Sequence, residues 1–198
     1  MTAAPSSIAP IPEQRMPRLA PEQMTPAQRA AAAELEAGPR GKVQGPYIAV
    51  LRSPGLTTPL QKLGEYIRFH CRLDMRLNEM AALMTARQWS QQFEFCVHTP
   101  HALEAGLPRA VIDAIAEGRR PAEMTQDEET LYDFLTEVFA TKGACDTTYA
   151  RTDAQFGEEG VVDLLGIAGY YVTLAMIMNV ARTALPEGEG YPLKPMPY

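Results

Sequence analysis

The sequence offers little cysteine chemistry, because its 198 residues include only three cysteines. Cys71, Cys96 and Cys145 are widely spaced, and no two of them form a CxxC motif. This spacing provides neither a zinc knuckle nor a thioredoxin-like redox pair. Three scattered cysteines also give no sign of an oxidising compartment, so we expect a cytoplasmic protein.

Positive charge is also scarce. The chain has 18 Lys and Arg against 24 Asp and Glu, which gives a net charge of −6 and a pI of about 5.1. Because nucleic-acid binding needs a concentrated basic surface, we expect no nucleic-acid partner. The first residues, MTAAPSSIAPIPEQRMP, contain no apolar run, which argues against a secretory signal there.

Long uncharged runs are limited to one segment, residues 164–181, LLGIAGYYVTLAMIMNVA. Its 18 residues lie at the lower edge of the length that spans a membrane. Helices that are apolar all round also occur in protein cores and subunit interfaces. The segment contains glycines, an asparagine and the pair Tyr170–Tyr171. We therefore expect a buried helix and no membrane partner, with both tyrosines in the core and their hydroxyls hydrogen-bonded.

Strand-type alternation is absent, and helical signals fill the chain. Thr25-Pro26 is a helix start, and Thr125 with Glu128 fits a capping box. We predict an all-α protein of about six to eight helices. A helical domain over residues 25–185 is expected to follow an extended or mobile arm, residues 1–24, and to precede a Pro/Gly-rich tail, residues 186–198. Helical periodicity begins near residue 57, and further helices are expected near residues 26–38, 75–88, 90–105, 108–118, 126–141, 146–156 and 158–182.

Polar residues that could act on a ligand are concentrated in EFCVHTPHALEAGL, residues 94–107. In a helix, Glu94, His98 and His101 share one face because they lie four and seven residues apart. Gln91 extends this face and is a candidate substrate-binding residue, and the alanines beside it leave space. The face has two simpler interpretations. Glu94 and His98 could form an ordinary helical ion pair, or the three residues could bind zinc in a metal-dependent enzyme.

A family resemblance covers roughly residues 40–185. Glu94, Phe95, His98, Ala102 and the final Gly-Leu form E-F-x-x-H-x-x-x-A-x-x-x-G-L. This resembles the E-W-x-x-H-x-x-x-A-x-x-A-G-L motif of carboxymuconolactone-decarboxylase-like proteins, which belong to the all-α superfamily of alkylhydroperoxidase-D-like proteins. Four further segments agree in order and spacing: LRSP (51–54), NEMAAL (78–83), DEETLYDF (127–134) and FGEEGVVDLLGIAGYY (156–171).

The redox branch of that superfamily carries E-x11-C-x2-C-x3-H. Counted back from His98, the two cysteine positions hold Gln91 and Glu94, and the glutamate position holds Glu79. A peroxidatic disulfide cycle needs a thiolate and a resolving cysteine. Cys96 lies about 200° around the helix from Glu94 and does not replace either one. The resemblance therefore implies the decarboxylase-type branch and argues against a thiol peroxidase.

The resemblance implies a cofactor-free lyase that acts on a small carboxylated lactone or keto acid and assembles as a homo-trimer or homo-hexamer. It places the acid–base face at Glu79, Glu94 and His98. We expect His98 to be the general acid/base, Glu94 its partner and Glu79 a second acid/base. His101 and Arg52 are expected to bind the substrate carboxylate. The alternative is a non-catalytic small-molecule-binding or structural oligomer with the same fold.

Overall fold

The computed structural model describes residues 13–194. Over these residues the protein is all-helical, with eight α-helices, one short 3₁₀ turn at Pro21–Gln23 and no strand. The all-α prediction is therefore confirmed for the described part of the chain. The helices are α1 (Pro26–Ala37), α2 (Tyr47–Val50), α3 (Pro54–Phe69), α4 (Met75–Gln88), α5 (Gln92–Glu104), α6 (Arg109–Glu117), α7 (Gln126–Thr141) and α8 (Asp146–Ala181).

Helix ends follow local chemistry that the sequence already displays. Thr25 accepts a hydrogen bond from the Gln28 N–H at the start of α1, with proline at the first helical position. The Thr125 N–H donates to the Glu128 carboxylate at 2.9 Å at the start of α7. At the end of α6, Gly118 adopts the left-handed conformation, with φ of 74°. Where such caps are present, the predicted boundaries agree closely with the observed ones. The short helix α2 was not among the predicted helices, and α3 begins at Pro54, before the predicted start near residue 57.

Helix α8 is interrupted at Gly157. This residue has φ of 72° and ψ of 166°, so two helices meet at a kink. Glycine tolerates that backbone conformation because it has no Cβ. The prediction of separate helices over 146–156 and 158–182 is thereby confirmed.

Helix α4 forms the centre of the core. It packs against α5, α6, α7 and α8, and its side chains are buried along nearly its whole length. Met80, Ala81, Leu83 and Ala86 are fully buried. A helix enclosed on all sides can hold polar groups away from water, and α4 carries several of them, Asn78, Glu79, Thr85 and Arg87.

Helix α8 covers one side of α4 with its apolar half. Among the described residues it is the one helix long and apolar enough to cross a membrane, with a mean hydropathy of 1.8 over its most apolar window. In the fold, 56% of that window is buried. Core helices of soluble proteins have the same composition.

The described parts of the arm and the tail contact the helical domain. In the arm, the Arg18 guanidinium donates to the Val43 carbonyl at 2.7 Å, and the Arg15 N–H donates to the Ala181 carbonyl at 2.9 Å. In the tail, Leu193 is buried, and its backbone N–H and carbonyl both bond to the Gln92 side chain. The first twelve residues of the predicted arm and the last four of the predicted tail lie outside the described residues.

Candidate functional site

One cavity is lined by three of the six predicted site residues, Glu94, His98 and His101. It has a volume of about 420 Å³ and lies between the loop before α2 and helices α3, α5 and α8. Its walls combine apolar side chains with a small number of charged and polar groups, which is typical of small-molecule sites. The polar and aromatic lining residues are Arg40, Gln44, Arg68, Phe93, Glu94, His98, His101, Tyr170 and Tyr171.

His98 is held in a fixed orientation by Glu79. The distance from His98 Nδ1 to Glu79 Oε2 is 2.6 Å, and both side chains are buried. Because Nδ1 is engaged by Glu79, Nε2 is the nitrogen left for a ligand in the cavity. The edge-on ring of Tyr171, with its centroid 4.9 Å from that of His98, supports the imidazole from the α8 side. This arrangement suits a histidine that exchanges protons with a bound molecule.

The carboxyl group of Glu94 is buried and forms no hydrogen bond with the described residues. Only 3% of the residue is exposed, and neither carboxylate oxygen has a hydrogen-bond partner among the described residues. Burial raises the pKa of Glu94 well above its ordinary value. A buried carboxyl group that holds its proton more tightly than usual and borders a cavity can donate that proton to a ligand. Buried polar groups left unbonded are rare and are typical of functional sites.

The prediction that Glu94 is the partner of His98 is wrong. The two residues do share a face of α5 that borders the cavity, but the imidazole bonds to Glu79 on α4. Helices α4 and α5 make the most extensive contact between any two helices of the fold, which brings Glu79 and His98 together. The positions expected for the two carboxyl groups are therefore reversed. Glu79 bonds to the imidazole and orients it, and Glu94 has no hydrogen-bond partner among the described residues.

Tyr170 and Tyr171 differ in their surroundings. The Tyr170 hydroxyl lies 3.1 Å from the Tyr47 hydroxyl and accepts a hydrogen bond from Arg40 at 3.0 Å. This matches the expectation of a core tyrosine with a bonded hydroxyl. The Tyr171 hydroxyl has no hydrogen-bond partner within residues 13–194, although the ring is buried. Burial raises the pKa of Tyr171 well above its ordinary value, so the hydroxyl remains a proton donor at neutral pH.

The remaining predicted residues are divided between the cavity and other places. His101 lines the cavity, with its ring centroid 6.4 Å from that of His98. Gln91 does not line it: it caps α5 by accepting from Phe93 N and Glu94 N, and its amide donates to the Asn179 side chain. Arg52 is also elsewhere and donates to the carbonyls of Ile48 and Pro17. Gln91 and Arg52 therefore form hydrogen bonds within the fold, away from the cavity.

The described residues do not form the alternative metal site. Within residues 13–194, no three His, Cys, Asp or Glu side chains are placed to hold a metal ion. Glu94, His98 and His101 share a cavity but do not converge on one point. Cys96 lies off the cavity beside Glu189, and burial raises the pKa of its thiol, which keeps it protonated.

Arg40, Arg68 and Tyr171 are cavity residues that the sequence did not reveal as site residues. Arg40 lies in the loop before α2, Arg68 in the last turn of α3 and Tyr171 in the middle of α8. No spacing along the chain connects them with residues 94–107. Only helix packing brings them to the cavity.

Comparison of the chain with protein-family models, curated proteins and solved structures finds no match in any of the three.

Proposed function

We propose that the protein is a cofactor-free lyase of the decarboxylase type, acting by acid–base chemistry on a small carboxylated lactone or keto acid. The observation that carries this proposal is that His98 and Glu94 line one cavity in different surroundings. His98 is oriented by Glu79, and Glu94 is a buried acid with no partner in the described chain. Groups with opposite environments of this kind are the usual basis for assigning an acid and a base.

The charge of the cavity supports an anionic substrate. Arg40 and Arg68 both line it, and Arg68 Nε is buried and has no hydrogen-bond partner among residues 13–194. Arg40 is held by its hydrogen bond to Tyr170 and by its position over the Tyr47 ring, 4.3 Å from the ring centroid. Guanidinium groups match the geometry of carboxylates. In this proposal they take the anchoring role that the sequence assigned to Arg52.

The chemistry follows from these positions. Loss of CO₂ from a carboxylate next to a carbonyl system breaks a C–C bond and leaves its electron pair on an enolate. A proton must then reach the carbon, and the neutral Glu94 carboxyl supplies it. The Tyr171 hydroxyl stabilises the enolate oxygen by hydrogen bonding. His98 Nε2 exchanges a proton with the substrate or with Glu94, and the Glu79 carboxylate stabilises the imidazolium that forms.

Assembly into a homo-oligomer, a trimer or hexamer, belongs to the same proposal. Exposed apolar side chains follow one face of α8, with Val162 66% and Val180 56% exposed, and Leu165 and Met176 between them. Leu165 also borders a shallow apolar groove between α7 and α8. Exposed apolar surface of this extent is characteristic of a contact with another chain.

The test is proton exchange and CO₂ release with a panel of carboxylated lactones and keto acids in deuterated buffer. We expect the wild type to release CO₂ and to incorporate one deuteron at the carbon that loses it. His98→Asn should lower kcat by at least about 100-fold, the usual contribution of a general acid/base. The matched control is His70→Asn, because His70 is exposed at the end of α3.

Two results would contradict the proposal. One is binding of panel compounds without deuterium incorporation or CO₂ release, which would favour the non-catalytic binding protein. The other is equal turnover in wild type and His98→Asn, which would place the chemistry elsewhere.

A further inference from the structure

A second cavity lies on another side of α4 and contains a buried arginine. Its volume is about 250 Å³, and it is bounded by α4, by the end of α6 and by α7. It shares no lining residue with the cavity of His98. Its most unusual lining residue is Arg87, which is only 4% exposed.

Arg87 carries its charge without an acidic partner in the described chain. One of its terminal nitrogens donates to the Lys194 carbonyl at 2.7 Å, whereas Nε is buried and has no hydrogen-bond partner. Burial lowers the pKa of Arg87, and no neighbouring carboxylate opposes this effect. Because a guanidinium stays protonated in proteins, the charge persists. Buried charges are costly unless they are paired.

The walls of the cavity are suited to an anion. In the part of the chain that the structure describes, no Asp or Glu lines it, and the polar side chains that do are Arg87, Arg119, Gln88, Tyr132 and Thr136. All five can donate a hydrogen bond, and two are cationic. Arg119 is exposed and pairs with Glu117 at the rim, whereas Arg87 forms the interior wall.

We propose that this cavity is a second ligand site, which binds a small oxyanion such as phosphate or a carboxylate through the buried guanidinium of Arg87 and the donors around it. The site lies between α4, α6 and α7 and is independent of the catalytic proposal. An oxyanion there pairs the charge and accepts from the surrounding N–H and O–H groups. Ligand binding would therefore stabilise the fold.

The experiment compares thermal unfolding of wild type and Arg87→Met in an anion-poor buffer, and then with increasing inorganic phosphate or, separately, succinate. Without anions, Arg87→Met should melt at a higher temperature than the wild type, because the uncompensated charge is gone. With the bound anion, the melting temperature of the wild type should rise by several degrees, and that of Arg87→Met should not. Calorimetric titration of the folded wild type should give a saturable 1:1 isotherm for the anion that binds. A phosphate-only or a succinate-only response tells which oxyanion the site takes.

The control is Arg109→Gln, since Arg109 is exposed on α6 and pairs only with Asp113. It should respond to each anion as the wild type does, which shows that loss of an arginine charge elsewhere does not abolish the response. A general stabilising effect of phosphate salts would shift Arg87→Met as much as the wild type. Equal shifts in wild type and Arg87→Met, or no saturable isotherm with either anion, would overturn the proposal. So would a wild-type melting temperature that depends on protein concentration but not on anions, because a second copy would then supply the counter-charge. If Arg87→Met does not fold, the same anion titration is carried out on Arg87→Lys. The melting temperature of that variant should respond to the anion more weakly than that of the wild type.

Discussion

Glu94 makes the stability of the protein depend on pH in a direction opposite to that of most carboxylates. Its folded pKa lies well above the ordinary value of 4.5, and burial is the cause. The folded state therefore binds the Glu94 proton more tightly than the unfolded state does. This contribution to stability is fully present below pH 4.5 and is lost as the pH rises toward the folded pKa.

Glu94→Gln removes the titration and keeps the size of the side chain. Relative to the wild type, the variant should gain about 1.4 kcal/mol in the free energy of unfolding for each pH unit between 4.5 and the folded pKa. Above that pKa the gain should level off. For a chain of this length, 1 kcal/mol corresponds to roughly 2–4 °C, so the melting temperatures should separate by about 3–6 °C for each pH unit.

The assay is urea or thermal unfolding of wild type and Glu94→Gln at half-unit steps from pH 4 to pH 8. Glu104→Gln serves as the control, because Glu104 is exposed near the end of the same helix. The control should follow the wild type at every pH. A constant difference between wild type and Glu94→Gln over the whole range would refute the reasoning, since Glu94 would then have the same pKa in the folded and unfolded states.

Two further predictions concern packing around the site and assembly. A Cβ added to Gly64 on α3 would lie 2.3 Å from the Tyr170 hydroxyl oxygen and 2.9 Å from an Arg40 nitrogen. Gly64→Ala should therefore destabilise the fold by about 1–3 kcal/mol in urea unfolding, despite the better helix propensity of alanine. Gly55→Ala, on the same helix with open space around it, should be neutral or slightly stabilising, and equal effects of the two changes would contradict the close packing. Leu165→Glu on the exposed apolar face of α8 should lower the molar mass measured by light scattering from that of an oligomer toward that of a monomer, and an unchanged mass would remove this face from the interface.

Much of the fold could be predicted from local sequence. Thr25-Pro26, Thr125 with Glu128, Gly118 and Gly157 mark the ends or breaks of helices through backbone chemistry that needs no tertiary partner. The face of α5 could also be predicted, because residues four apart in a helix lie side by side. For this reason Glu94, His98 and His101 were found as one group.

Only the tertiary structure decided how these residues work together. Local spacing favours Glu94 as the partner of His98, but the packing of α4 on α5 places Glu79 at 2.6 Å from the imidazole. Glu94 is buried and has no hydrogen-bond partner within residues 13–194. The arginines of both cavities likewise depend on contacts between segments that are distant in the chain. The sequence by itself determined the helices and the polar face of α5, because these depend on neighbours within one or two turns. Burial, charge pairing and pKa depend on which other helices cover a side chain, and packing alone settles them.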